Sequence, residues 1–265
     1  RQLELGDPRP PGRSTTPART RSASMIVAAH QPHYMPWLGY LDKLAKADLF
    51  VVMDDLQYEA QNFQNRQRVK LQTGPAWLTV PLERGAQADR ICDKRIDNTG
   101  SPKQHWQRRT WLTIEHNYRR APYFARYAPL VQDVYTRRWE SLLELDLHML
   151  DLAREALHIT TPIVRASTLG LTGQKTDRLI AMCKAVGARC YLSGGGGSTD
   201  YLDSEQMGRA GIGVIWQVFR HPVHDQRYGA FASHLGFLDL LFNCGDASRD
   251  VLFERSHPTR LMEAA

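Results

Sequence analysis

MIVAAHQPHYMPWLGYLDKLAKADLFVVMDD (25–55) decides the fold. MIVAAH (25–30) reads as a short buried strand, and DLFVVMDD (48–55) as a second strand ending in two acids. Between them Trp37, Leu38, Leu41, Leu44 and Ala45 recur at helical spacing. Strand, helix and strand within roughly 30 residues make a βαβ unit with a right-handed crossover. The turn between the first two elements holds His30, Gln31, Pro32, His33, Tyr34, Pro36 and Trp37. A loop that only connects uses Gly, Asn, Asp and Ser instead. Ligands of open α/β sheets sit at this carboxyl edge, and the helix that follows directs its first N–H groups toward an anion. The turn therefore reads as the floor of a ligand site, with its prolines fixing the backbone. The plainer alternative makes Tyr34 and Trp37 core residues and His30 a cap on the sheet.

Outward from this unit the chain alternates. AWLTVPL (76–82) and IGVIWQVF (212–219) are further strand candidates. ARCYLSGGGGSTDYL (188–202) reads as strand, glycine loop and helix start. Residues 102–117 and 121–158 are mostly helical, with Pro122 and Pro129 as breakers. DRLIAMCKAVG (177–187) is a helix capped by Thr176 or Asp177 and closed by Gly187, and 233–245 is another ending at Gly245. The expected class is α/β: a mainly parallel, Rossmann-like sheet with flanking helices and a helical insertion at about 100–160. Residues 25–250 form one domain in this reading, and 251–265 a C-terminal tail.

The formal charge of +6 suggests an anionic partner, but its distribution weakens that suggestion. Residues 1–24 carry five Arg against Glu4 and Asp7, which is +3, half of the excess. This Pro/Ser/Thr/Arg-rich stretch has no apolar period and is expected to be a disordered leader, with Met25 opening the folded part. The four cysteines are scattered with no CxxC pair, which points to free thiols in a cytoplasmic protein rather than disulfides or zinc. No apolar run approaches the ~18 residues of a membrane span.

Other clusters carry chemistry of their own. Asp54 and Asp55, at a strand end, suit a metal ion or an ammonium; Gln57, Asn65, Arg66 and Arg68 follow, and two guanidiniums suit a carboxylate or phosphate. Ser193 and Gly194 open the glycine run, with Tyr201 beyond it; glycines let backbone N–H groups approach an anion, yet the spacing is neither GxGxxG nor a P-loop. KQHWQRRTWLTIEHNYRRAPYF (103–124) interleaves basic and aromatic residues in a manner suited to nucleotide or RNA. Trp111, Ile114 and Tyr118 nevertheless form a helical stripe, which favours a core role. Cys183 and Cys190 are expected to be structural thiols, Ser193 lacks the G-x-S-x-G elbow, and His221 and His224 are too few for a metal site.

HQPHYMPWLGYLDKLAKADLFVVMDDLQYEAQNFQNRQRVK (30–70) resembles the opening of the WbqC-like family, whose pattern is HQPxYxPWxGY, then a Lys-containing helix, an aspartate-rich strand end and a later Asn-Arg. The likeness continues through WLTVP (77–81), YLSG with DYL (191–202) and FLDLLFNCG (237–245). It departs from the pattern at the long GGGG and at HPVHDQ (221–226), where an aromatic is expected in place of His224. The family's members occur in clusters that build O-antigen sugars and other secondary products. The resemblance implies a biosynthetic acyltransferase: an amide-forming step that adds glycine or another acyl group to an amino sugar or secondary-metabolite intermediate. It also implies a ligand role for His105. In layout, WLGYLDKLAKADLFVVMDD is similar to the HIGH-type nucleotidyltransferases, with Tyr40 in place of the second His. That superfamily includes enzymes that join a carboxylate to an amine through an acyl-adenylate.

In the resulting scheme His30 or His33, near the ordinary imidazole pKa of about 6.5, deprotonates the attacking amine. Asp54 orients the amine or a Mg²⁺ ion. Arg66 holds the anionic part of the donor, while Gln31, Tyr34, Trp37, Asp55, Gln57, Asn65, His105, Ser193, Gly194 and Tyr201 bind substrate. The acyl donor is activated by ATP with Mg²⁺ or as a thioester, and is carried by CoA, a carrier protein or tRNA. A homodimer is compatible with this scheme. The competing functions are a non-catalytic nucleotide- or RNA-binding module and a Cys- or Ser-dependent hydrolase.

Overall fold

The computed structural model describes residues 24–86, 88–101, 105–195 and 202–254. The βαβ unit is present as β1 (Ile26–His30), α1 (Leu38–Ala45) and β2 (Leu49–Val52). β5 (Ile163–Arg165), β6 (Cys190–Ser193) and β7 (Gly213–Trp216) join them in a five-stranded parallel sheet ordered β5-β2-β1-β6-β7. Val27 lies opposite Leu49 on one side of β1 and opposite Tyr191 on the other. The strands are short and apolar because both faces are covered. Alternation sends Ala28, Phe50 and Val52 into one core and Val27, Ala29 and Val51 into the other.

α1 packs in the larger core with α2 (Trp106–Tyr118), α3 (Phe124–Thr136), α4 (Leu142–Ala156), α7 (Phe237–Cys244) and α8 (Ser248–Glu254). α5 (Lys175–Ala185) and α6 (Ser204–Arg209) cover the opposite face. The expected insertion is therefore helical. Trp111, Ile114 and Tyr118 are buried, as their spacing indicates for a core stripe. α8 continues to Glu254, past the expected start of the tail at 251. The expected leader lies outside the described residues.

Three local expectations need correction. AWLTVPL does supply a strand over 76–79, but outside the main sheet. Gly74–Thr79 (β4) pairs antiparallel with Arg66–Leu71 (β3) in a separate hairpin. α5 is entered from Gln174 rather than from Thr176 or Asp177; Thr176 instead accepts a hydrogen bond from the Asp203 amide. The helix expected over 233–245, α7, begins at Phe237, later than 233, and is followed by α8. Gly187 and Gly245 do take the positive φ expected of helix-ending glycines.

The turn after β1 is clamped to elements far away in sequence. Tyr34 N–H donates to Phe63 O, and Phe237 N–H to Pro36 O. Gln67 Nε2 donates to Met35 O, and the Gly236 amide to Arg68 O. Met35 is held at φ +46°, a left-handed conformation uncommon outside glycine. Hairpin, turn and α7 are thus one rigid block at the carboxyl edge of β1. Gly39 completes it, because a Cβ there would lie 2.2 Å from the Trp37 indole. Gly39→Ala should push Trp37 off Phe219 and His234 and lower stability by about 1–3 kcal/mol. Urea unfolding and tryptophan emission check this together.

Candidate functional site

β1 leads through α1 to β2 on one side, while β6 and β7 extend the sheet on the other. The point where strand order reverses is therefore between β1 and β6, and crevices open there at the strands' carboxyl ends. A cleft of about 850 Å³ occupies this position, within the usual size for a small-molecule site. β1 contributes Ala29 and His30, and β6 contributes Tyr191, followed by Gly194 and Gly195. α1 adds Gly39, Tyr40 and Lys43, while Gln217, Phe219, His221 and His234 form the far wall.

His30 Nδ1 lies 3.1 Å from Gln31 O. A carbonyl only accepts, so this nitrogen carries the proton and Nε2 keeps the lone pair in the neutral ring. Burial, and then the charge on Lys43, lower the His30 pKa to about 3. His33 stands behind it, ring centroids 4.6 Å apart, and stacks on Phe63 at 5.4 Å. Its pKa is also held well below the ordinary value, chiefly by burial. Both imidazoles are neutral at neutral pH, which overturns the expectation of a base near 6.5. Composition gave no sign of this, because desolvation depends on the packing of Tyr40 and Phe63 around the two rings.

Lys43 was not singled out in the sequence, although it falls on the inward stripe of α1 with Tyr40 and Leu44. Its ammonium donates to Ala29 O at 2.7 Å, and burial lowers its pKa to about 8. Behind the cleft, Asp146 on α4 is buried and neither carboxyl oxygen has a partner among the described residues. Burial raises its pKa well above the carboxylate range, so it is protonated, and burial likewise raises the pKa values of Tyr34 and Tyr40. The far wall is aromatic. Trp37 stacks on His234 at 5.1 Å and meets Phe219 edge-on at 5.4 Å.

Of the residues expected to form the site, His30, Gln31, Trp37 and Gly194 line this cleft. Gln31 Oε1 accepts from Gln64 Nε2. The others lie elsewhere in the structure. Tyr34 is fully buried, its hydroxyl 2.6 Å from that of Tyr135. Asp54 is buried and accepts from Arg165 Nε, Ser167 N and Ser167 Oγ, which ties β2 to the segment after β5. Asp55 pairs with Arg178 of α5. Gln57 bridges to Arg90 through the backbone, and Asn65 donates to Val80 O. Arg66 donates to Gln61 O and covers the Trp77 ring at 4.3 Å. His105 sits beside Gly100 O in a separate recess with Arg108, Arg137 and Arg138. Ser193 is buried, with no partner for its hydroxyl among the described residues. Tyr201 lies outside the described residues.

Two stability measurements follow from this geometry. Asp54→Ala leaves the Ser167 turn and Arg165 without their acceptor and should cost about 2–4 kcal/mol in denaturant unfolding. Lys43 has its folded pKa at about 8, below its ordinary 10.5. Between these values the unfolded chain holds more protons, so the Lys43 contribution makes stability rise with pH through that window. Lys43→Met should abolish this rise and leave the protein at least as stable at pH 7, as checked by urea titrations at several pH values.

The profile of the WbqC-like protein family matches residues 31–251. The uncharacterised protein Rv1507c of Mycobacterium tuberculosis is 32% identical over 229 residues, an alignment covering 85% of this chain and 96% of that protein. No solved structure gives a significant match. The chain belongs to the WbqC-like protein family.

Proposed function

We propose that the cleft forms an amide, transferring an acyl or aminoacyl group, such as glycyl, onto the amine of an amino sugar or secondary-metabolite intermediate. The observation that carries this reading is His30: a neutral imidazole on the cleft wall, proton fixed on Nδ1, lone pair on Nε2. The amine nitrogen attacks the acyl carbon and a C–N bond forms. The carbonyl π pair moves to oxygen, then returns to re-form C=O as the bond to the leaving phosphate or thiolate breaks, and the leaving group departs with the electron pair. The acylated nitrogen is now cationic and strongly acidic, so even a weak base accepts its proton; His30 Nε2 takes it. Trp37 and Phe219 give the cleft an aromatic wall for the apolar part of a substrate.

Asp54 acts in this scheme by holding the sheet edge, since its oxygens are taken by Arg165 and Ser167. None of the four cysteines is in a disulfide, which supports placing the reaction in the cytoplasm. No described helix is long and apolar enough to cross a membrane. The competing readings gain no specific support. Burial of Trp106, Trp111 and Tyr118 removes these rings as stacking platforms for RNA. A hydrolase built on Cys183 would start from a thiol pushed up to about 12 by burial.

The test is a thermal-shift screen against ATP with Mg²⁺, CoA thioesters, nucleotide sugars and amino acids, followed by mass spectrometry of paired donors and amines. A donor that raises Tm and yields an amide product is expected. His30→Ala should keep the fold and lower turnover by about 10²–10⁴-fold. Full turnover in His30→Ala would remove the proposed base.

A further inference from the structure

Lys43 is a buried positive charge that the described residues leave without a counter-ion. It is 5% exposed, and among the described residues its ammonium bonds only to the Ala29 carbonyl. Asp42, Asp54, Asp55 and Glu59 are engaged elsewhere, and Asp146, buried in the layer behind, is protonated. Asp42, its neighbour on α1, is held by Lys46 at 2.8 Å and by Gln217 at 2.7 Å. Asp54 and Asp55 are paired with Arg165 and Arg178. Glu59 is exposed on the cleft lining and accepts from Asn62. His30 and His33, the other titratable groups whose fields meet Lys43, are neutral and supply no negative charge.

A buried ammonium with one carbonyl partner is costly, and a bound anion offsets that cost. Lys43 lines the cleft rather than a closed cavity, so a ligand can reach it. The Gly194–Gly195 turn, where backbone can approach an anion closely, lines the same cleft. From this placement we infer that the ligand of the cleft carries a carboxylate or phosphate group that pairs with the Lys43 ammonium. The aromatic wall of Trp37 and Phe219 then receives the apolar or planar remainder of the molecule. The inference rests on the cleft being a ligand site, and it stands whether or not the chemistry there is amide formation. It assigns Lys43 an anion-binding role and makes one of the reactants an acid or a phosphate ester. An anion bound there also cancels part of the field that depresses His30, which couples ligand binding to a stronger base.

Sulfate and acetate, neither of which titrates at pH 8, are the probes. Binding is measured by thermal shift and calorimetry on the full chain at constant ionic strength, beside Lys43→Met and Lys43→Arg. At least one probe should raise Tm, with affinity at least tenfold weaker in Lys43→Met and largely kept in Lys43→Arg. Calorimetry in two buffers of different ionisation enthalpy should show net proton uptake at pH 8 in the native protein, a readout that needs no variant to fold. Binding that is equal in native protein and Lys43→Met, the absence of proton uptake, or no binding of either probe would overturn the inference. Failure to detect an amide product in the separate activity assay would leave it untouched.

Discussion

The parallel pairing of β1 with β2 on one side and β6 on the other is the constraint on which the molecule depends. Parallel strands need crossovers, and the crossovers leave β1 and β6 in opposite directions. A crevice remains between their carboxyl ends that neither connection fills. The turn that follows β1 occupies one wall of that crevice. Its bulky residues are held by hydrogen bonds from Gln67 of the hairpin and Phe237 of α7. The hairpin stands apart from the main sheet and serves as a brace for the turn.

Burial at this edge sets the electrostatics. Two imidazoles packed against Tyr40 and Phe63 lose their hydration, and a lysine on the next helix face adds its charge. Desolvation therefore keeps His30 and His33 neutral and lowers the Lys43 pKa to about 8, leaving it charged at neutral pH. The same physics holds Asp146 protonated in the layer behind. A site assembled this way has its proton acceptors and its positive charge prearranged before any substrate enters, which is the condition for electrostatic preorganisation.

Much of this was legible in the sequence. The βαβ unit is local, and its period changes from strand to helix within a few residues, so 25–55 could be read directly. His30, Gln31, Trp37 and Gly194 were found because they lie where such a unit ends or where a glycine run follows a strand. The hairpin was harder to see. RQRVKL mixes charge with Gln67 and Lys70, whose burial depends on partners at Met35, Gln226 and Ala230. Asp54 and Asp55 looked like free acids at a strand end, because Arg165, Ser167 and Arg178 come more than a hundred residues later. Lys43 resembled an ordinary solvated helix charge until α1 was docked with that face inward.

The central claim is that His30 is a desolvated, neutral imidazole at the wall of a ligand cleft, with its proton on Nδ1. Two-bond ¹⁵N–¹H correlation spectra of histidine-labelled protein, assigned with His30→Gln, measure charge and tautomer together. The account predicts a neutral His30 ring bearing its proton on Nδ1 across the folded range down to about pH 4. A His30 resonance that titrates near the ordinary value of 6.5, or one protonated on Nε2 when neutral, would contradict it.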